Sequence, residues 1–227
     1  MLKFADYIGS LPAPVGNISL IQEVETKLGI SDVSKLFPMD GNDRYGDCTC
    51  AALAHGITIW SGLVGKKEIP TKSAVLALYK KLTGGVDQGC NMQDVVNFWM
   101  SSGFDGEKPL AVVSIDPKNH NHIKLAIQLF GGVYTGINVQ ENAQRDFSKG
   151  TTWTPGKLTG DGHAIWLSGY DSNNVEILTW GAKQLGTWAW NDCCVYTCFV
   201  FIPMEAAKAN FAPGFNLTQL QTDLKIL

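Results

Sequence analysis

The stretch Gly41-Asn42-Asp43-Arg44-Tyr45-Gly46-Asp47-Cys48-Thr49-Cys50-Ala51-Ala52-Leu53-Ala54-His55-Gly56-Ile57 decides how this chain is read. Its first seven residues are dominated by turn formers, and an Ala-rich run that favours helix follows at once. A loop therefore enters a helix whose first turn carries Cys48. A thiol attacks as thiolate, and the unpaired N–H groups and dipole at a helix N-terminus favour that charge. Cys48 is accordingly the candidate nucleophile. Cys50, two residues further on, points to a different side of the helix at about 100° per residue and ranks below it.

A nucleophilic thiol needs a base, and the chain has four histidines. His55 stands seven residues beyond Cys48 on the same helix, about 10 Å along its axis, so a structural role is expected. His120 and His122 fall in a polar turn after Pro117, exposed or capping a helix. His163 lies in Gly160-Asp161-Gly162-His163-Ala164-Ile165, where glycines lead into an apolar strand. Its ring is expected to project from the strand start at a sheet edge, a position suited to a general base.

Working outward, helical spacing and capping residues predict helices over Ser19 to Leu28, Thr71 to Leu82, Met92 to Ser101 and His122 to Phe130. Strand-like runs cover Gly132 to Val139, His163 to Tyr170, Val175 to Trp180 and Val195 to Ile202. Helices first and strands later predict an α+β fold of two facing lobes with a cleft between them. With no repeat, low-complexity tract or linker, residues 1–227 read as a single domain, about 1–110 mainly helical and about 111–227 mainly β.

Composition narrows the function classes. Of 227 residues 45% are hydrophobic and 17% charged, which suits a globular chain with its own core. The net charge of −3 is spread without basic clusters, so nucleic acid is not an expected partner. No apolar run reaches membrane-spanning length and no signal peptide is evident at the N-terminus, so no membrane partner is expected. The six cysteines are too sparse for a disulfide scaffold. Cys48-x-Cys50 and the Cys193/Cys194/Cys198 group lack paired zinc spacing, so no metal or other cofactor is expected.

The order of these features resembles the papain-like cysteine peptidases. Pro38-Met39-Asp40-Gly41-Asn42 followed by Cys48 is similar to the family's opening Pro and its Gln six residues before the nucleophile. Gly89-Cys90-Asn91-Met92-Gln93 resembles its Gly-Cys-Asn-Gly-Gly turn. His163-Ala164-Ile165 with Gly169-Tyr170 is similar to its His-Ala-Val and Gly-Tyr strand, and Leu178-Thr179-Trp180-Gly181 echoes its Asn-Ser-Trp-Gly segment. Sequences with a Gly-Asp-Cys-Thr start among uncharacterised bacteriophage proteins are also similar, which implies the host cytoplasm or a virion as its location.

The resemblance implies a two-lobed papain-like fold and a thiol-dependent hydrolase of peptide or amide bonds, acting on a peptide or protein substrate. Cys48 would be nucleophile and His163 base, with the Asn42 amide and the Cys48 backbone N–H forming the oxyanion hole. Asn42 is one methylene shorter than the family's Gln. The family's imidazole-orienting Asn aligns with Leu178; a shift of one residue brings in Thr179, whose hydroxyl could accept from the ring, and Trp180 would shield His163. Tyr45 replaces a disulfide-forming Cys that would partner Cys90, in keeping with a reducing compartment. The residues before Asn42 are too few for a long inhibitory prosegment. These departures leave a second reading open, a catalytically inactive papain-like binding or virion-associated protein.

Overall fold

A computed structural model describes residues 1–9, 11, 12, 14, 16–204 and 214–226. After a 3-10 turn at Phe4–Asp6 come β1 (Ile18–Ser19), α1 (Leu20–Leu28), α2 (Val33–Leu36), α3 (Cys48–Leu63), α4 (Lys72–Thr83) and α5 (Met92–Ser102). Next follow β2 (Pro109–Ile115), α6 (His120–Phe130), β3 (Val133–Gln140), α7 (Ala143–Ser148) and β4 (Leu158–Tyr170). The chain then forms β5 (Asn174–Thr179), β6 (Ala182–Thr187), α8 (Trp188–Cys194), β7 (Val195–Pro203) and α9 (Leu217–Asp223). No helix among the described residues is long and apolar enough to cross a membrane.

Local chemistry sets the helix ends. Ser19, Thr71 and Asn91 accept the first-turn amides of Gln22, Ala74 and Gln93, while Gly29 and Gly84 close α1 and α4 in the left-handed region at φ +65°. The four helices expected at 19–28, 71–82, 92–101 and 122–130 each lie within two residues of those spans, whereas α2, α7, α8 and α9 were not expected. The strands form one antiparallel sheet in the order β2-β7-β3-β4-β5-β6, with β1 added against β4. The class is thus α+β.

The core is built around α3, almost every residue of which is buried. Two glycines seat it. A Cβ on Gly56 would stand 2.4 Å from the Trp166 ring of β4, and one on Gly62 2.4 Å from Val24 of α1, so only glycine lets the helix lie this close to both. Trp60 of α3 stacks on Trp99 of α5 at 5.1 Å, and Trp99 reaches Phe201 of β7 at 4.3 Å. Burying an aromatic of this size stabilises by roughly 2–3 kcal/mol. The packing fixes the N-terminus of α3 against the sheet.

The strand carrying His163 departs from expectation. β4 starts at Leu158; its first five residues are exposed and His163 is the first buried one. It lies inside the strand, not at its start, and β4 is an interior strand of the sheet. Around His163, however, β4 pairs only with β3, through Ile137, because pairing to β5 begins at Trp166. That side of the strand is free to face α3.

Candidate active site

The loop before α3 is folded back on itself. Asp47 holds the position preceding the helix, yet its carboxylate does not cap the helix; Oδ2 accepts the Gly41 N–H at 3.0 Å instead. A Cβ on Gly41 would stand 2.5 Å from that oxygen, so glycine is required for the fold-back. Asp47 O accepts the amides of Cys50 and Ala51 at 2.9 and 3.0 Å, which starts the helix and leaves the first-turn amides of Cys48 and Thr49 outside that ladder.

Across from this turn, β5 and β6 join through the two-residue turn Trp180-Gly181, both at positive φ (+47° and +73°), the geometry of a type I′ hairpin. A positive φ is unusual for tryptophan, and packing holds it there. The Trp180 ring stacks on His163 at 5.0 Å and meets Phe147 and Trp153 edge-on. Gly181 abuts Met39, since an added Cβ would stand 3.0 Å from Met39 N. The hairpin turn and the loop before α3 are therefore in contact.

A cavity of about 370 Å³ lies between the start of α3, the 89–93 loop, β4 and β7, lined by Cys48, Thr49, Cys90, Met92, His163 and Tyr196 among others. Cys48 and His163, 115 residues apart in sequence, share its wall. His163 Nε2 is hydrogen-bonded to Thr179 Oγ1 at 2.8 Å, which leaves Nδ1 as the ring's other nitrogen. Leu178 is buried in β5, paired with Trp166 and Lys183. Asn42 is half-buried on the loop; its amide donates to Met39 O at 3.3 Å, and it is not among the cavity's lining residues. Among the described residues no hydrogen bond joins Cys48 Sγ to His163.

Burial raises the Cys48 thiol pKa above its ordinary value, with the Asp47 carboxylate adding to the effect. The backbone N–H groups of Ala164 and Thr49 oppose this by favouring the thiolate. Burial pushes His163 down to about 4, and the nearby His55 adds to the effect. The resting site thus holds a neutral thiol and a neutral imidazole rather than an ion pair.

Three features of the site escaped sequence reasoning. Tyr196 and Met92 enter the cavity through packing at Gly136, where a Cβ would strike Met92 Sδ, Thr197 and the Tyr196 ring within 2.8 Å. The glycine in mid-strand was the available signal. Tyr134 of β3 donates its hydroxyl to Thr49 O at 3.0 Å, tying the sheet to the first turn of α3. Beneath the loop, Asp40, Asp47 and His55 form a buried polar cluster in which both Asp40 carboxylate oxygens, Asp47 Oδ1 and His55 Nδ1 lack hydrogen-bond partners. His55 Nε2 is 2.9 Å from Pro38 O and 3.9 Å from Asp40 Oδ2, in keeping with the structural role expected of it.

The α+β fold resembles that of a solved cysteine protease. The chain superposes on the Carica candamarcensis cysteine protease CMS1MS2, whose structure is a complex with E-64, with a TM-score of 0.60 over 85% of this chain and 99% of that one, at 13% identity. No family model matches the sequence, and neither does any curated protein.

Proposed function

We propose that this chain is a thiol-dependent hydrolase of peptide or amide bonds, with Cys48 as nucleophile, His163 as general base and a peptide or protein as substrate. The observation that carries the reading is the single cavity walled by both side chains, on a fold that resembles a cysteine protease. In this reading the chain is one domain, residues 1–110 and 111–227 form its two lobes, and the cavity is the cleft between them. The resemblance of its Gly-Asp-Cys-Thr start to bacteriophage proteins supports a host cytoplasm or a virion as its location in this reading.

The chemistry begins from the neutral pair. As substrate fills the cavity, Cys48 Sγ gives its proton to His163 Nδ1 and the thiolate adds to the carbonyl carbon. The gap between thiol and ring closes in the substrate complex, as catalytic hydrogen bonds commonly do. The developing oxyanion is met by the Cys48 backbone N–H and by the Asn42 amide, which exchanges its bond to Met39 O for one to the substrate. The imidazolium returns its proton to the amine nitrogen as the C–N bond breaks. Water, deprotonated by His163, then adds to the thioester, and Cys48 leaves with that proton. Thr179 holds Nε2 throughout, and Trp180 keeps bulk water from the ring.

The engaged Asn42 amide and the missing thiol–imidazole hydrogen bond favour the second reading, a papain-like protein that binds without turnover. Incubation with denatured casein separates the two. The hydrolase yields new peptides that Cys48→Ala abolishes. Uncleaved casein retained equally by the native chain and Cys48→Ala supports the binding reading.

A further inference from the structure

Hydrolysis uses one thiol, yet three crowd the first turn of α3. Cys48 and Cys90 are half-buried on the wall of the same cavity, and Cys50 is wholly buried behind them. Thr49, between Cys48 and Cys50, donates its hydroxyl to Cys50 Sγ at 4.0 Å and lines the cavity together with Cys90. The buried Tyr134 hydroxyl donates to Thr49 O, and burial raises its pKa with the charges of Cys50, Cys48 and Cys90 adding to the effect.

The loop that carries Cys90 is clipped to the loop before α3. Asp87 Oδ1 accepts both the Tyr79 hydroxyl at 2.7 Å and the Gly46 N–H at 2.9 Å, and the Tyr79 hydroxyl accepts the Gly89 N–H at 3.0 Å. Gly46 backs directly onto Gly89, where a Cβ would stand 3.0 Å from Gly89 N. Gly89, at φ +77°, immediately precedes Cys90 and gives the thiol a backbone pivot beside the cavity.

We propose that Cys90 is a resolving thiol for Cys48, so that a peroxide entering the cavity converts the pair to a reversible disulfide. Cys48 gives its proton to His163 and its sulfur attacks one peroxide oxygen; the O–O bond breaks, the leaving hydroxide takes that proton from His163 and departs as water, and Cys48 becomes a sulfenic acid. Cys90 sulfur then attacks the Cys48 sulfur; the S–O bond breaks, and its oxygen takes the Cys90 proton and departs as water. Overall two thiols lose two electrons and two protons, and the peroxide is reduced to water. A dithiol reductant reverses the change. Cys50 is a poor partner, because it shares the helix with Cys48 and points about 200° away from it. Cys90 comes from a separate element on the same cavity. The bond requires the two Cα atoms to lie within about 4.4–6.8 Å of each other.

The test needs no substrate, so it is independent of whether the chain is a hydrolase. The reduced full chain is treated with hydrogen peroxide, remaining thiols are alkylated, and the protein is digested without reduction for mass spectrometry. The expected result is a linked pair of peptides carrying Cys48 and Cys90, lighter by two hydrogens and separated by dithiothreitol. In Cys90→Ser, with folding checked by circular dichroism, Cys48 instead gains two oxygens and the dithiothreitol-reversible fraction is lost. A native chain in which Cys48 gains two oxygens while Cys90 remains open to alkylation overturns the proposal. A Cys50–Cys90 disulfide, or no change at Cys48, does the same.

Discussion

Replacing Asp40 by Asn should stabilise the protein in alkali and not in acid. Asp40 is buried at φ +53°, both its carboxylate oxygens lack partners, and Asp47 lies close by. Burial, with the Asp47 charge adding and Lys72 opposing, lifts it to about 7 from 3.8. A carboxyl whose folded pKa lies above its unfolded value contributes its full stability below the unfolded pKa and loses it as pH rises through the folded one. The ionised form therefore weighs against folding from about pH 4 upward, fully above about pH 7, by an amount on the order of 4 kcal/mol. Asn tolerates the left-handed backbone and never ionises, but it buries an unpartnered amide that costs about 1–3 kcal/mol.

The net expectation is a gain of about 1–3 kcal/mol for Asp40→Asn near pH 8, turning into a loss near pH 4, where Asp40 is already protonated. Burial depresses His55 and His163 to about 4 each. Their contribution runs the other way, present above the unfolded histidine value of about 6.5 and lost as pH falls from there toward 4. Asp40 and the histidines oppose one another in the native chain, so the variant should lose stability more steeply on acidification. Urea unfolding at several pH values, followed by tryptophan fluorescence, reads both effects. An equal destabilisation at pH 4 and pH 8 would refute the assignment of Asp40 as a strained, ionised group.

Three further outcomes follow from the site. Thr179→Val keeps the side chain's shape and removes the partner of His163 Nε2. Hydrolysis should fall about 2- to 10-fold, from the net worth of a hydrogen bond, with stability down about 1–3 kcal/mol for the orphaned nitrogen. Unchanged kinetics and stability would remove Thr179 from the account. Gly56→Ala pushes α3 off Trp166, where the added Cβ would stand 2.4 Å from the ring. Denaturant melts should show a loss of about 1–3 kcal/mol, whereas a neutral result would mean that the helix–sheet spacing is not set there. Asn42→Ala should lower kcat about 100-fold with little change in KM if the amide meets the oxyanion, and Asn42→Gln should retain much of the activity. Equal rates for native chain and Asn42→Ala would leave that side chain bound to Met39 alone.

Much of this arrangement is written locally in the sequence. The switch from the Gly/Asn/Asp loop to the Ala-rich run marks where α3 begins at Cys48, and the caps Ser19, Thr71 and Asn91 start their helices as side chains that satisfy orphan amides. Less legible were β6 and α8. Ala182–Thr187 alternates only partly and pairs with β5 and, through one isolated bridge, Trp153, while Trp188–Cys194 is rich in aromatic and cysteine residues of modest helix propensity, its cap Thr187 being the one clear signal. The start of β4 was hidden because Leu158–Gly162 is exposed and polar, so its apolar pattern begins only at His163.

At the candidate site, Cys48 and His163 could be picked out because a thiol at a helix start and a histidine entering an apolar strand are local patterns, whereas Thr179 came only with the family resemblance. Placing Tyr196 and Met92 beside them depends on long-range packing at Gly136, while Asn42 turns back on Met39 within its own loop. The buried carboxylates were equally out of reach, since nothing local distinguishes Asp40 and Asp47 from the exposed Asp43 between them.

The central claim is that the Cys48 sulfur loses its proton to His163. The most direct measurement is the rate of Cys48 alkylation by iodoacetamide near neutral pH, followed by peptide mass spectrometry in the native chain and in His163→Ala. The account predicts that the native thiol reacts faster than the variant's, despite the burial that raises its pKa. Equal rates in the two proteins, no faster than a buried bystander thiol such as Cys198, would contradict it.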